Sequence, residues 1–309
     1  VRIVFFGTSE FGVPALNALR EAGIEITAVV TTQERPKGRG LTMQPSPVKT
    51  AAQRFGTPVL EPEDPNDAVF IDRLRELRPE AIVLAAYRFI LKPELLAVPP
   101  RGCLNIHPSL LPAWRGAAPV QRALMAGEKE TGVSIFLMND KIDQGDVVLQ
   151  DELDIGPNET FGELLPRLAA LGAQLVVSGL DALARGNYQR ITQDRGEGSY
   201  AEKIRKEERV IDWHLPAAQI HNLIRALSPS PAAYTLLRGK RLEILASELH
   251  SDRHGEPGEA AFEDRRLIVA AELASVELVR VKPEGGKPMS GADLLNGKRI
   301  AAGEKLGEP

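Results

Sequence analysis

The chain has 309 residues, 43% apolar and 26% charged, with a formal net charge of −4. That composition suits a soluble globular protein of two domains, and the negative balance excludes a generally basic nucleic-acid coat. A single cysteine, Cys103, excludes an intramolecular disulfide and a cysteine-based zinc site. Consecutive apolar runs such as 81–86 fall far short of the ~20 residues of a membrane span. Residues 1–7 read as a strand rather than a signal peptide, so the expectation is a cytoplasmic protein without a membrane segment.

In chain order, residues 2–6 predict a first strand. Residues 11–22 then carry apolar positions at helical spacing, and residues 25–31 predict a second strand. This β-α-β opening predicts parallel strands joined by a right-handed crossover. Gly7 and Gly12 do not form a G-x-G-x-x-G fingerprint, so a dinucleotide site has little support. The stretch 33–49 holds three prolines and two glycines and predicts a long loop rather than a regular element. It carries Arg35, Lys37, Arg39 and Lys49 against Glu34 alone. Such a loop is either a solvated basic surface or an arm that orders on phosphates.

Short helices are predicted at 46–55 and 67–77, and a buried parallel strand at 80–86. Tyr87-Arg-Phe89-Ile90-Leu91 follows at the carboxyl end of that strand, where open α/β sheets place ligands. Residues 102–107 predict another strand, 119–125 a helix, and 132–138 and 147–153 two more strands. A long helix is predicted at 160–184. From 187 to 206 the chain turns polar and irregular and reads as a linker. A helix at 217–226 precedes short strands at 233–237, 241–247, 258–262, 266–271 and 275–281, which suggest a small barrel or sandwich. Residues 205–309 hold 16 basic and 16 acidic side chains, so any nucleic-acid contact there must be local.

The stretch from Cys103 to Pro119 organises the chemistry. Asn105 and His107 are two apart, so on a strand both side chains share one face. One supplies amide donors, the other an imidazole that gains or loses a proton near neutrality. That pair suggests a site where a carbonyl oxygen gains negative charge, although N-x-H alone describes a polar strand end equally well. Asp143, in the turn-rich run Asn139–Asp146, is either a third member of the site or a turn residue. No serine or cysteine sits in a G-x-S-x-G elbow, and Cys103 lies inside the strand as a core thiol. Covalent catalysis is therefore disfavoured. Direct attack by an amine on an activated acyl group fits what remains, with Asn105 and protonated His107 donating to the oxyanion and Asp143 holding the imidazolium and relaying the proton.

Asn105-Ile-His107-Pro-Ser109-Leu110-Leu111-Pro112-x-x-Arg115-Gly116-x-x-Pro119, with Asp143-x-Gly145-Asp146, resembles the signature of the folate-dependent formyltransferases. The resemblance implies 10-formyltetrahydrofolate as co-substrate, no metal, and catalysis by Asn105, His107 and Asp143. It also implies a folate pocket lined by Ser109, Leu110, Leu111, Pro112, Tyr87, Phe89, Ile90 and Leu91. Most of the remaining chain resembles the branch of that family acting on methionyl-tRNA. The carriers include Arg35-Pro-x-Gly38-Arg39-Gly40, Pro45-Ser-Pro47-Val-Lys49, Tyr200-Ala-x-Lys203-Ile-x-Lys206 and Ile211-Asp-Trp213. That resemblance implies formylation of initiator methionyl-tRNA, with Arg35, Lys37, Arg39 and Lys49 on the tRNA. It implies a Rossmann-like, open parallel-sheet formyltransferase domain over 1–186, a linker over 187–206 and an OB-like β-barrel tRNA-binding domain over 207–309. A monomer is expected. Arg88 departs from the family's usual glycine and Ala113 from a commonly basic residue.

Overall fold

The apolar opening folds as strand β1 (Arg2–Gly7), buried from Ile3 onward. Helix α1 (Gly12–Glu21) follows and buries Ala15, Leu16 and Leu19, the residues at helical spacing. Strand β2 (Glu25–Val30) lies parallel to β1, as the opening predicts. The computed structural model describes residues 1–33, 35–37, 42–193, 198–252, 255–297 and 300–307. Within the stretch read as a loop, β3 (Arg35–Lys37) and β4 (Thr42–Gln44) pair antiparallel, with Arg35 opposite Gln44 and Lys37 opposite Thr42. Pro36 fits because one side of each strand in a two-stranded ribbon makes no ladder bonds.

Helix α2 (Pro47–Arg54) starts where the Ser46 hydroxyl accepts from the Lys49 amide at 3.0 Å, with Pro47 in the first turn. There follow β5 (Val59–Leu60), α3 (Ala68–Glu76), β6 (Ala81–Ala85), α4 (Pro93–Leu96), β7 (Cys103–His107), β8 (Arg115–Gly116), α5 (Pro119–Ala126), β9 (Glu130–Leu137), β10 (Val147–Asp154) and α6 (Phe161–Arg185). The main sheet has the order β10-β9-β7-β6-β1-β2-β5. From β7 to β5 every pairing is parallel. The expectation of a wholly parallel sheet is corrected at β9, which runs antiparallel to β7, with Ser134 opposite His107 and Leu137 opposite Leu104. The chain re-enters the sheet at the end where β7 left it, so its direction reverses. A parallel return needs a crossover back to the other end. The sheet is therefore mixed, and its β1/β6 junction is the switch point where strand order reverses.

By contacts the chain divides into two units. The first comprises Val1–Gly116, Thr131–Leu153 and Leu165–Tyr200, the second Ala117–Glu130, Asp154–Leu164 and Ala201–Pro309. Composition points only to the last of these crossings, because the excursions at 117–130 and 154–164 have the make-up of ordinary core segments. In the first unit Phe6, Leu74, Ile82 and Leu95 pack in one apolar cluster with Cys103. Burial pushes the Cys103 thiol up to about 12, which suits a core residue rather than a nucleophile. Helix α6 is long and apolar enough, by length and composition, to cross a membrane. Counting consecutive apolar residues overlooks it because polar residues interrupt the run. Leu168, Val176 and Leu180 are buried in the fold, as in a core helix.

The later elements are β11 (Tyr200–Ala201), α7 (Ala217–Leu227), β12 (Ala233–Leu237), β13 (Lys240–His250), β14 (Ala260–Glu263), β15 (Arg266–Ala270), β16 (Ser275–Pro283), β17 (Met289–Ser290) and α8 (Gly291–Asn296). In the second unit β12-β13-β16-β15-β14 form an antiparallel sheet, with β17 added on β16. Among the described residues β12 and β14 are its two ends, and no ladder closes it into a barrel. Trp213 is buried there with its indole N–H donating to the Thr235 hydroxyl at 3.0 Å.

His221 is buried on α7. Its Nε2–H donates to the Pro157 carbonyl at 3.0 Å, and its Nδ1 accepts from the Ser247 hydroxyl at 2.9 Å. Burial, opposed in part by the Pro157 bond, holds the imidazole below its ordinary value. The unfolded chain therefore binds a proton at a pH where the folded chain does not. Stability is present above the unfolded histidine value of ~6.5 and is lost as pH falls through the lower folded value. Replacing His221 with glutamine should flatten the loss of melting temperature below about pH 6.5, measured by thermal denaturation across pH.

Candidate active site

Strand β7 delivers two polar side chains to one face of the first unit. Asn105 is half-buried, and its carboxamide has no hydrogen-bond partner among the described residues. His107 is buried, 4% exposed, at the carboxyl end. Its Nδ1 stands 3.7 Å from Asp143 Oδ2, whose side chain is 14% exposed. Its Nε2 lies 2.9 Å from the Trp114 carbonyl, and because a carbonyl only accepts, Nε2 carries the proton. A second proton on Nδ1 would face the carboxylate. The ring edge also meets Phe136, at 6.4 Å between centroids.

Asp143 arrives from the loop between β9 and β10. Its φ is +51°, left-handed for a residue with a Cβ, a conformation that costs on the order of 1–3 kcal/mol and is held by its surroundings. Asp143 Oδ2 accepts from the Gly116 amide at 2.8 Å. Gly145 in the same turn admits no side chain, since a Cβ there would lie 1.6 Å from the Leu137 carbonyl oxygen. Trp114 is also left-handed, with φ +60°. Its amide donates to the Ser199 hydroxyl at 2.9 Å, and the Arg115 amide, which shares the peptide whose carbonyl holds His107, donates to the Ser199 carbonyl at 2.9 Å.

The loop after β7 is built from buried polar contacts. Ser109, fully buried, donates to the Ala113 carbonyl at 2.6 Å. Ser134 donates to the Ser109 carbonyl at 2.6 Å, accepts from the Leu111 amide at 3.0 Å, and accepts from Gln150, which also donates to the Leu111 carbonyl at 2.7 Å. Ser109 and Leu111 are thus part of the scaffold, while Leu110 and Pro112 are half-buried. On the neighbouring strand end, Tyr87 stacks edge-on against Phe6, with ring centroids 5.2 Å apart, and lies 5.7 Å from Phe89. The Tyr87 hydroxyl is buried without a partner among the described residues, and burial pushes it above its ordinary value. Ile90 is 70% exposed and Leu91 buried, with Asn66 donating to the Ile90 carbonyl at 3.0 Å.

The structure thus brings His107 and Asp143 together and sets Asn105 on the same strand face. Of the four cations proposed from sequence, only the Lys49 side chain is among those described. Lys49 lies 2.7 Å from Glu61 Oε2, its side chain only 14% exposed. Arg35 and Lys37 are described by their backbone alone, in β3, and Arg39 lies outside the described residues. Gln193 was missed from sequence. It reaches the Asp143 loop from the stretch read as linker and gives no signal there beyond being one more polar residue.

A family model described as formyl transferase matches residues 1–180, and one described as formyl transferase, C-terminal domain, matches residues 203–299. A Moorella thermoacetica protein named methionyl-tRNA formyltransferase is 44% identical over 309 residues, covering 99% of each chain. One of the same name from Carboxydothermus hydrogenoformans is 43% identical over 306 residues, covering 98% of this chain and 99% of that one. Among solved structures, HypX from Aquifex aeolicus in complex with tetrahydrofolic acid superposes with a TM-score of 0.67 at 18% identity. That match takes in 98% of this chain and about half, 48%, of HypX, and at that identity it speaks for the fold alone.

Proposed function

Because the chain belongs to the formyl transferase family over both its N-terminal and C-terminal parts, we infer that it transfers the formyl group of 10-formyltetrahydrofolate to the amino group of methionine on initiator tRNA. The observation that carries the chemistry is His107 against Asp143, on the strand face that holds the unpartnered Asn105 carboxamide. The relatives' shared name supports the acceptor.

The folate co-substrate supplies an activated formyl carbon. The residues present fit such a ligand. Asn105 and Tyr87 offer unpartnered donors at neighbouring strand ends, and Leu110, Pro112, Phe89 and Ile90 offer half-buried or exposed apolar surface beside them. Ser109, Leu111 and Leu91 would shape that pocket from behind. As the methionyl amine attacks, a new C–N bond forms and the formyl oxygen gains charge. Asn105 donates a hydrogen bond to it, as does His107 in its doubly protonated form. The Trp114 carbonyl accepts the Nε2 proton in this structure, so that donation requires the bond to be exchanged for one to the substrate oxygen. Asp143 balances the imidazolium and passes on the proton the amine loses, directly or through a water. The oxyanion then re-forms the carbonyl as the folate C–N bond breaks, the departing nitrogen takes the proton passed on by Asp143 to leave as tetrahydrofolate, and the product amide is released.

For the acceptor, Arg35, Lys37 and Arg39 would contact backbone phosphates near the aminoacyl end. Lys49, held by Glu61, would anchor the foot of that ribbon. Residues 207–309, read as an OB-like barrel, would add tRNA contacts, with 1–186 as the catalytic domain and 187–206 linking them in a cytoplasmic monomer. Arg39→Ala should raise KM for charged tRNA about tenfold, leave KM for folate unchanged and flatten the salt dependence by about one unit of slope. Steady-state kinetics across ionic strength would decide it. An effect confined to folate would remove Arg39 from the tRNA interface.

A further inference from the structure

We propose that Gln193 is a positioning residue for the transfer reaction, holding the Asp143 turn so that its carboxylate stays on His107. The inference rests on the role given to Asp143 above. Gln193 is 8% exposed, and the direction of its amide is set by its partners. Arg115, itself 4% exposed, donates from Nε to Gln193 Oε1 at 3.0 Å. A guanidinium only donates, so Oε1 must face it and Nε2 must face the other way. Nε2 there donates to two backbone carbonyls of the turn, Asp143 at 3.0 Å and Gly145 at 2.7 Å. All three hydrogen bonds are buried or nearly so, and together they use both amide protons of Gln193.

These contacts close a circuit around the carboxylate. Gly116, next to Arg115 in the chain, donates its amide to Asp143 Oδ2, while the Arg115 side chain reaches the same residue's carbonyl through Gln193. Asp143 is therefore fixed at its side chain and at its backbone, in a left-handed conformation that an unsupported aspartate would leave. Gly145 cannot give way, since it packs directly on the Leu137 carbonyl. Loss of the Gln193 bonds would leave two carbonyls without their donors and let the turn relax, carrying the carboxylate away from His107. Gln193 need not touch either substrate to act in this way.

The test compares Gln193→Ala, Gln193→Glu, Asp143→Asn and the Gln193→Ala/Asp143→Asn double variant, with kcat and KM for both substrates and kcat across pH. Glutamate is isosteric and keeps the Arg115 contact but turns a carboxylate oxygen on two carbonyls, so it carries the test if the alanine variant does not fold. The expected result is a fall in kcat of about 10²-fold, as for a misplaced catalytic group, with both KM values within about twofold of the parent. The pH of half-maximal kcat should move in the same variants, and the double variant should be no slower than Asp143→Asn alone. A parental kcat in Gln193→Glu, or losses that multiply in the double variant, would overturn the inference while leaving Asp143 in place. A fully active Asp143→Asn would instead remove the catalytic reading of Asp143 and this inference with it.

Discussion

His107→Ala lowers turnover by about 10²–10⁴-fold and leaves folate binding intact. The size of the loss follows from what the ring does. In the proposed mechanism it is one of two side chains on β7 that donate to the formyl oxygen, and the one that bears charge as it does so. Deleting a single oxyanion donor costs on the order of 10²–10³ in kcat, and losing the charged partner of Asp143 adds to that. Folate binding should survive because the surfaces assigned to it, from Tyr87 to Leu91 and from Ser109 to Pro112, are held by contacts that do not involve the ring. Ser134 and Gln150 brace the second, and Asn66 the first. Single-turnover rates at saturating folate, beside a direct folate titration, separate the two. Unchanged turnover would take His107 out of the mechanism.

The second large effect is at Asp143. Asp143→Asn should slow the chemical step by about 10²–10⁴-fold with little loss of melting temperature. Asparagine tolerates the left-handed backbone at this position as well as aspartate does, and its amide oxygen can still accept from the Gly116 amide. What it lacks is the negative charge that faces His107 Nδ1. If the oxygen stays on Gly116, that uncharged amide oxygen still faces Nδ1 but no longer balances a proton there. A loss of stability on the same scale as the loss of rate would show instead that Asp143 is a turn residue and nothing more.

Much of this site was legible in the sequence, because the strand period places Asn105 and His107 on one face and the Asp-x-Gly turn marks a tight loop. The apolar strands and the helical spacing of 11–22 and 160–184 gave the elements of the first unit in nearly correct bounds. The antiparallel entry of β9 was not legible, since the same apolar strand serves either direction. Nor was the β3/β4 ribbon, whose prolines and glycines suggest an open loop while its backbone pairs. The excursions of 117–130 and 154–164 to the second unit depend on packing, which composition does not encode. Gln193 and the Trp114 carbonyl were invisible for a further reason. One acts through backbone carbonyls and the other is a backbone carbonyl, so neither leaves a residue pattern at a fixed spacing from the groups it serves.

The most direct measurement is formyl transfer from 10-formyltetrahydrofolate to charged initiator methionyl-tRNA, run beside uncharged initiator tRNA and charged elongator methionyl-tRNA. The account predicts transfer to the charged initiator alone. Folded, folate-binding protein that formylates none of the three tRNAs, yet formylates a small sugar or nucleotide amine, would contradict it.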